Sequence, residues 1–267
     1  MAPLSAPSTQ LEVRFTPADF AALSQRDLRG AVCVVFDVLR ATSTMLEALA
    51  NGALAIHPVA DIAEALAWKA RSPDVLLAGE RDGLRIGREL TGSIDFELGN
   101  SPREFTRAAV AGRTLVMTTT NGTRALRACA SAGTVLIGSF LNLPALTRWL
   151  TDHRPAQLFL VCSGTHEEAS YEDTLAAGAL CDRLWPAYTA GRIADSAAMA
   201  RQLFQLAETD LLGAMVHARN GRRLLAIPEL RDDVPLCLHL GAHALLAQLD
   251  PAGTVIAVVG WEFRVKS

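Results

Sequence analysis

The stretch Val32-Cys33-Val34-Val35-Phe36-Asp37-Val38-Leu39-Arg40-Ala41-Thr42-Ser43-Thr44 decides the fold. Its first half is apolar without alternation, which suits a strand covered on both faces; a strand with one face in water would alternate. Its second half turns to small hydroxylic and charged residues and leads into helix-forming sequence over 41–50. Working outward, the pattern recurs. Apolar runs at 75–78, 115–117, 135–137, 158–161 and 255–259 alternate with helical stretches at 61–70, 123–131, 143–150, 174–184 and 196–206. The expected fold class is therefore α/β, a three-layer α/β/α arrangement with mainly parallel buried strands. The rhythm restarts near Gly133, which leaves open a single unit over 11–267 or two similarly built lobes, 11–132 and 133–267. Residues 1–10, rich in Ala, Pro and Ser, are expected to be flexible, and 219–240 resists assignment.

Half of the 267 residues are hydrophobic and a fifth are charged, which supports a sizeable core. A formal net charge of −3 gives no basic footprint, so nucleic acid is a poor partner class. The N-terminus lacks a basic start followed by an apolar run, and no apolar run is long enough to span a bilayer. No membrane partner is expected. Cys33, Cys129, Cys162, Cys181 and Cys237 are scattered, odd in number and form no CxxC pair. They read as reduced thiols in a cytoplasmic protein. The sequence leaves a homo-oligomer open.

Four of the apolar runs end in polar clusters: Asp37 to Thr44, Gly79-Glu80-Arg81-Asp82-Gly83, Thr118 to Arg124, and Cys162-Ser163-Gly164-Thr165. In a parallel sheet their carboxyl ends share one edge, where open α/β sheets bind ligands. Small hydroxylic residues and Gly leading into helices present free N–H groups at a partially positive helix end, a cradle for phosphate or carboxylate. Arg40 and Arg81 add forked donors for phosphate oxygens. Asp37 and Glu80 are anomalous in an anion site unless a cation lies between them and the ligand. Hard oxygen donors around a phosphate point to Mg²⁺. Taken singly, each cluster reads as a helix cap or a surface ion pair; four on one edge point to an anion site.

Other phosphate chemistries lack their residues here. The second carboxylate of a double-aspartate phosphatase is replaced by Leu39, and Glu168 stands where a Cys-x5-Arg phosphate loop starting at Cys162 needs Arg, a carboxylate that would repel phosphate. Neither GxxxxGK[ST] nor GxGxxG occurs. His239 and His243 have helical metal-pair spacing, but Leu240 follows His239 where a zinc protease carries Glu.

Asp37-Val-Leu-Arg40-Ala-Thr-Ser-Thr44, Gly79-Glu80-Arg81, Leu98-Gly-Asn100-Ser-Pro102, Thr118-Thr-Thr-Asn121-Gly-Thr123 and Cys162-Ser-Gly164 with Glu172-Asp173 together resemble the 2-phosphosulfolactate phosphatase family. Asp95-Phe-Glu97-Leu stands where that family favours Gly-Phe-Asp-Leu, and Ser163 where Ala is usual. The resemblance implies Mg²⁺-dependent hydrolysis of 2-phosphosulfolactate, a small anionic organophosphate, to sulfolactate and phosphate in coenzyme M biosynthesis. On this reading Asp37, Glu80 and Asp173 hold Mg²⁺. Arg40 and Arg81, with Asn100, Thr120, Asn121, Gly122, Thr123, Ser163 and Gly164, bind the substrate. The nucleophile is a water deprotonated by Glu172 or Asp173, or Asp37 itself. The rivals are a non-catalytic anion sensor and a phosphatase for another phosphorylated hydroxy acid.

Overall fold

Ala31–Phe36 is a strand buried along its whole length, as its unbroken apolar sequence requires. The computed structural model describes residues 10–258, so the expected flexibility of residues 1–9 lies outside them. Gln10, grouped with that flexible segment above, instead opens a strand and pairs with Gln157.

In chain order the strands are β1 (Gln10–Arg14), β2 (Ala31–Phe36), β3 (Ala55–Pro58), β4 (Leu76–Arg81), β5 (Leu84–Arg85) and β6 (Thr114–Thr118). They continue as β7 (Thr134–Gly138), β8 (Gln157–Cys162), β9 (Arg192–Ile193), β10 (Ala247–Leu249) and β11 (Val255–Ala257). They form one sheet in the order β5-β4-β6-β3-β11-β10-β7-β2-β8-β1-β9. Strand β2 lies between β7 and β8, so the segments on either side of Gly133 interleave in a common sheet.

Helices cover both faces. On one, Val32, Val34 and Phe36 of β2 pack with Leu158 and Leu160 of β8 against Leu146, Leu175, Leu180 and Leu184 of the Leu143–His153 and Tyr171–Tyr188 helices. On the other, Cys33 and Val35 meet Met45 and Leu46 of the Ala41–Ala50 helix and Leu126 of the Gly122–Ala128 helix. Each such side chain contributes roughly 1.5–3 kcal/mol by leaving water. This is the expected three-layer α/β arrangement.

The strand directions depart from a simple parallel sheet. Strands β4, β6 and β3 are mutually parallel, as are β7, β2, β8, β1 and β9. The two blocks are joined through the hairpin β10–β11, whose three pairings are all antiparallel. They therefore run in opposite senses. The 255–259 run, expected as another parallel strand, is the outer half of this joint, and its last residue lies outside the described residues. Opposed blocks would put their carboxyl ends on opposite edges of a flat sheet. Sheets twist by roughly 20–25° per strand step. Over the six steps from β4 to β2 this turns one block through well over a right angle, toward the direction of the other. The ends do meet: Arg40 Nη2, after β2, donates to the carbonyl oxygen of Gly83, after β4, at 2.7 Å.

Among the described residues no helix is long and apolar enough to cross a membrane. All five cysteines are buried and reduced. Burial pushes the Cys162 and Cys181 thiols well above their ordinary range and the Cys237 thiol up to about 12. A thiol reagent added to the native protein is expected to label none of the five within minutes, and all five after denaturation in guanidinium. Rapid native labelling would contradict this packing.

Candidate active site

The strand ends converge on a cavity with about 600 Å³ of empty space, its open mouth included. Its wall carries Asp37, Leu39 and Arg40 after β2, Glu80 in β4 with Asp82 and Gly83 beyond it, and Thr119 to Asn121 after β6. Gly164 to His166 follow β8, and Asn100 closes the side. A sixth contribution comes from the Arg219–Ala226 helix through Asn220, Arg223 and Leu224.

Asp37 follows β2 in the turn that leads to the Ala41–Ala50 helix. Its Oδ1 accepts from Ala41 N–H at 3.1 Å, and its own N–H donates to Thr42 Oγ1 at 3.0 Å. The carboxylate thus sits against the partially positive helix end. A second helix start closes over it, because residue 122 is Gly: a Cβ there would lie 2.6 Å from Asp37 Oδ2 and 2.8 Å from Ala41 Cβ. Burial pushes the Asp37 carboxyl up to about 6, against the pull of the Ala41 N–H and the Ser163 hydroxyl. The negative charges of Glu80 and Glu172 add to the rise.

Glu80 is held rigidly. Oε1 accepts from the N–H and hydroxyl of Thr120, each at 3.0 Å, and Oε2 from Gly83 N–H at 2.7 Å. Two amide oxygens on the same wall, Asn100 Oδ1 and Asn121 Oδ1, are buried without a hydrogen-bond donor, although Asn121 Nδ2 donates to His166 O at 3.2 Å. Unsatisfied buried acceptors are costly and uncommon. Two carboxylates and two orphaned carbonyl oxygens around one cavity form a hard-oxygen donor set, which fits Mg²⁺. Among the described residues no three Asp, Glu, His or Cys side chains group closely enough to hold an ion alone.

Arg40 is buried, its Nη1 paired with Asp233 Oδ2 at 2.6 Å. Asp233 Oδ1 accepts from Ser101 Oγ at 2.6 Å and Arg103 Nε at 2.7 Å. The guanidinium is therefore fixed from behind by a residue 193 positions away.

Of the residues singled out in the sequence, Asp37, Arg40, Glu80, Asn100, Thr120, Asn121 and Gly164 line the cavity. The others do not, each for a visible reason. Arg81, expected to bind anions, turns back on its own strand, donating to Glu80 O at 2.7 Å and Thr118 Oγ1 at 3.1 Å. Gly122 packs behind Asn121, and the buried Thr123 hydroxyl donates to Thr119 O at 3.2 Å. Ser163, expected on the substrate, donates to Asp173 Oδ2 at 3.0 Å. Asp173, expected as metal ligand or base, uses its other oxygen to accept from Val38 N–H at 2.8 Å. It braces the Asp37 loop from beneath. Glu172 lies behind Asn220, whose Nδ2 donates to it at 2.6 Å. Burial raises the pKa of both acids. The departures at 95 and 97 also lie off the cavity: Asp95 pairs with Arg88 at 2.8 Å, and Glu97 accepts from Leu77 N–H at 2.8 Å and Lys69 at 2.6 Å.

The family model described as 2-phosphosulpholactate phosphatase matches residues 19–251. The chain belongs to the 2-phosphosulfolactate phosphatase family. A probable 2-phosphosulfolactate phosphatase of Symbiobacterium thermophilum is 39% identical over 225 residues, covering 82% of this chain and 91% of the relative. One of Gloeobacter violaceus is 37% identical over 225 residues, covering 84% and 90%. One of Caldicellulosiruptor saccharolyticus is 42% identical over 159 residues, covering 58% and 63%. The matched segment of the 2-phosphosulfolactate phosphatase family includes every cavity residue named above, those of the Arg219–Ala226 helix among them. Sequence reasoning missed that helix. Its signal was an amphipathic pattern, with the charged Arg219 and Arg223 one turn apart and the buried Leu224 one turn after Asn220 on the adjoining stripe.

Proposed function

We propose that this cavity hydrolyses 2-phosphosulfolactate to sulfolactate and phosphate with the help of Mg²⁺. Membership of the family makes the chain a phosphoric monoester hydrolase. The observation that carries the metal assignment is the pairing of crowded carboxylates with two donorless amide oxygens in one anion-binding cavity.

Asp37 and Glu80 would hold the ion, with Asn100 Oδ1 and Asn121 Oδ1 as further oxygen donors. When bound, Mg²⁺ supplies positive charge to the phosphoryl oxygens and activation of water. The chain's own residues do the rest. Arg40, locked by Asp233, presents a preorganised charge to the phosphate, and such a charge need not reorient during reaction. The Gly122–Ala128 helix starts directly after Asn121, so its partially positive end lies on the Asn121 side of the cavity. Leu39 and Leu224 give the wall its apolar part and limit water on that side. Attack by water is favoured over an aspartyl phosphate because Leu39 occupies the place of a second carboxylate after Asp37.

The test is phosphate release from 2-phosphosulfolactate by protein stripped with EDTA, before and after Mg²⁺ is restored. Stripped protein is expected to be inactive and Mg²⁺ to restore turnover. Mg²⁺ is also expected to raise the melting temperature, since saturating an ion at about 100 times its Kd adds about 2.7 kcal/mol. Full turnover in EDTA would remove the metal from the account.

A further inference from the structure

We infer that Arg223 selects substrates carrying a second anionic group, the carboxylate or sulfonate borne beside the phosphate. The identity of that substrate rests on the function proposed above.

The cavity has few cations to share. Among the described residues, Arg40 and Arg223 are the Arg or Lys side chains that line it. Arg40 is 3% exposed and already faces a fully buried carboxylate at 2.6 Å. A ligand with a dianionic phosphate, a carboxylate and a sulfonate brings more negative charge than Arg40 and one divalent ion neutralise. Arg223 is the remaining source of positive charge. Its carboxylate partner, Asp82, is 3.8 Å away with a side chain 82% exposed, a separation and exposure at which an ion pair is weak and screened. Arg223 Nη2 also donates to the Asp82 carbonyl oxygen. That contact aims the side chain without cancelling its charge.

The two guanidinium groups flank a single turn. Arg40 Nη2 donates to Gly83 O at 2.7 Å, and a Cβ on Gly83 would lie 3.8 Å from Arg223 Cζ. Gly83 has φ +78°, a conformation glycine adopts without strain, and its bare Cα leaves the space between the arginines open. Groups at two ends of one three-carbon molecule can therefore reach both. The helix bearing Arg223 is itself pinned: Arg219 pairs with Glu168 at 2.7 Å, and Asn220 Nδ2 donates to Thr165 Oγ1 at 2.7 Å. Arg223 follows one turn later on the same side. Its planar fork suits a carboxylate or sulfonate, which a point charge grips less selectively.

Calorimetric titration of the full chain with sulfolactate, and separately with inorganic phosphate, tests this without requiring turnover. Arg223→Gln is expected to weaken sulfolactate binding by about 30-fold, the scale of a charge-assisted hydrogen bond, and phosphate binding by less than about 3-fold. Arg223→Lys is expected to recover part of the loss. Lactate and 2-hydroxyethanesulfonate, each carrying one of the two anionic groups, assign which one Arg223 takes. Equal weakening of sulfolactate and phosphate would mean that Arg223 only ties the β4–β5 turn and would overturn the inference. So would unchanged sulfolactate binding, or none by the unsubstituted protein. Phosphate release measured alongside separates the two claims: turnover without the binding difference counts against Arg223, and the binding difference without turnover counts against the phosphatase.

Discussion

Asp37→Asn is expected to lower kcat for phosphate release by about 10³-fold, equivalent to about 4 kcal/mol of barrier. The carboxylate faces the cavity beside Glu80, and its charge is the part of the site that a cation needs and an amide lacks. The fold should survive the change. Asn keeps a side-chain oxygen of the same reach to accept from Ala41 N–H. Stability should even move the other way. A carboxyl pushed up to about 6 is held in a place that disfavours its charge. The folded state therefore loses stability as pH rises from the ordinary carboxylate range through about 6, and the full cost is present above that. In EDTA at neutral pH, Asp37→Asn is expected to melt no lower than the unsubstituted protein. Steady-state kinetics with a melting curve checks both. A variant that retains turnover, or one that is unfolded, would contradict the assignment.

Asp233→Ala is expected to cost about 3–5 kcal/mol of stability, because it leaves the buried Arg40 guanidinium facing an empty site. Ser101 and Arg103 lose their acceptor in the same step. For a chain of this size the melting temperature should fall by roughly 10 °C. Asp232 is the natural control. It neighbours Asp233, but its side chain is 64% exposed and its nearest guanidinium nitrogens are 3.7 and 3.8 Å away. Asp232→Ala should change stability by about 0–1 kcal/mol. Paired melting curves of the two variants make the comparison, and equal losses would show that the buried network does not hold the segment in place.

The sequence made the backbone of this site legible where burial leaves a local trace. Strand β2 and the Ala41–Ala50 helix announce themselves because a strand buried on both faces has no polar positions to interrupt it. Strands β1, β3 and β10 went unread. Leu11 and Val13 alternate with Glu12 and Arg14 in β1, while β3 and β10 are too short to show a period. The hairpin that reverses the two parallel blocks could not be anticipated from local pattern, since direction is a property of pairing. Within the site, residues at strand ends were found because a turn from apolar to small and polar is visible in one stretch of chain. Arg81 was expected at the cavity but does not line it, because the direction of a side chain at a strand end depends on the pleat and on Thr118 across the ladder. Asn220, Arg223 and Asp233 were missed because they enter from a helical segment far along the chain, and what defines them is what they face.

The central claim, that opposed strand blocks bring Asp37 and Glu80 around one ion beside a bound phosphate, is open to a single direct measurement. Crystals grown with Mn²⁺ in place of Mg²⁺ and with inorganic phosphate would locate the ion by its anomalous scattering. The predicted result is a peak at bonding distance, about 2.1–2.2 Å, from carboxylate oxygens of both Asp37 and Glu80, with phosphate density against Arg40. Phosphate seated in the cavity with the metal peak elsewhere, or with no peak at all, would contradict it.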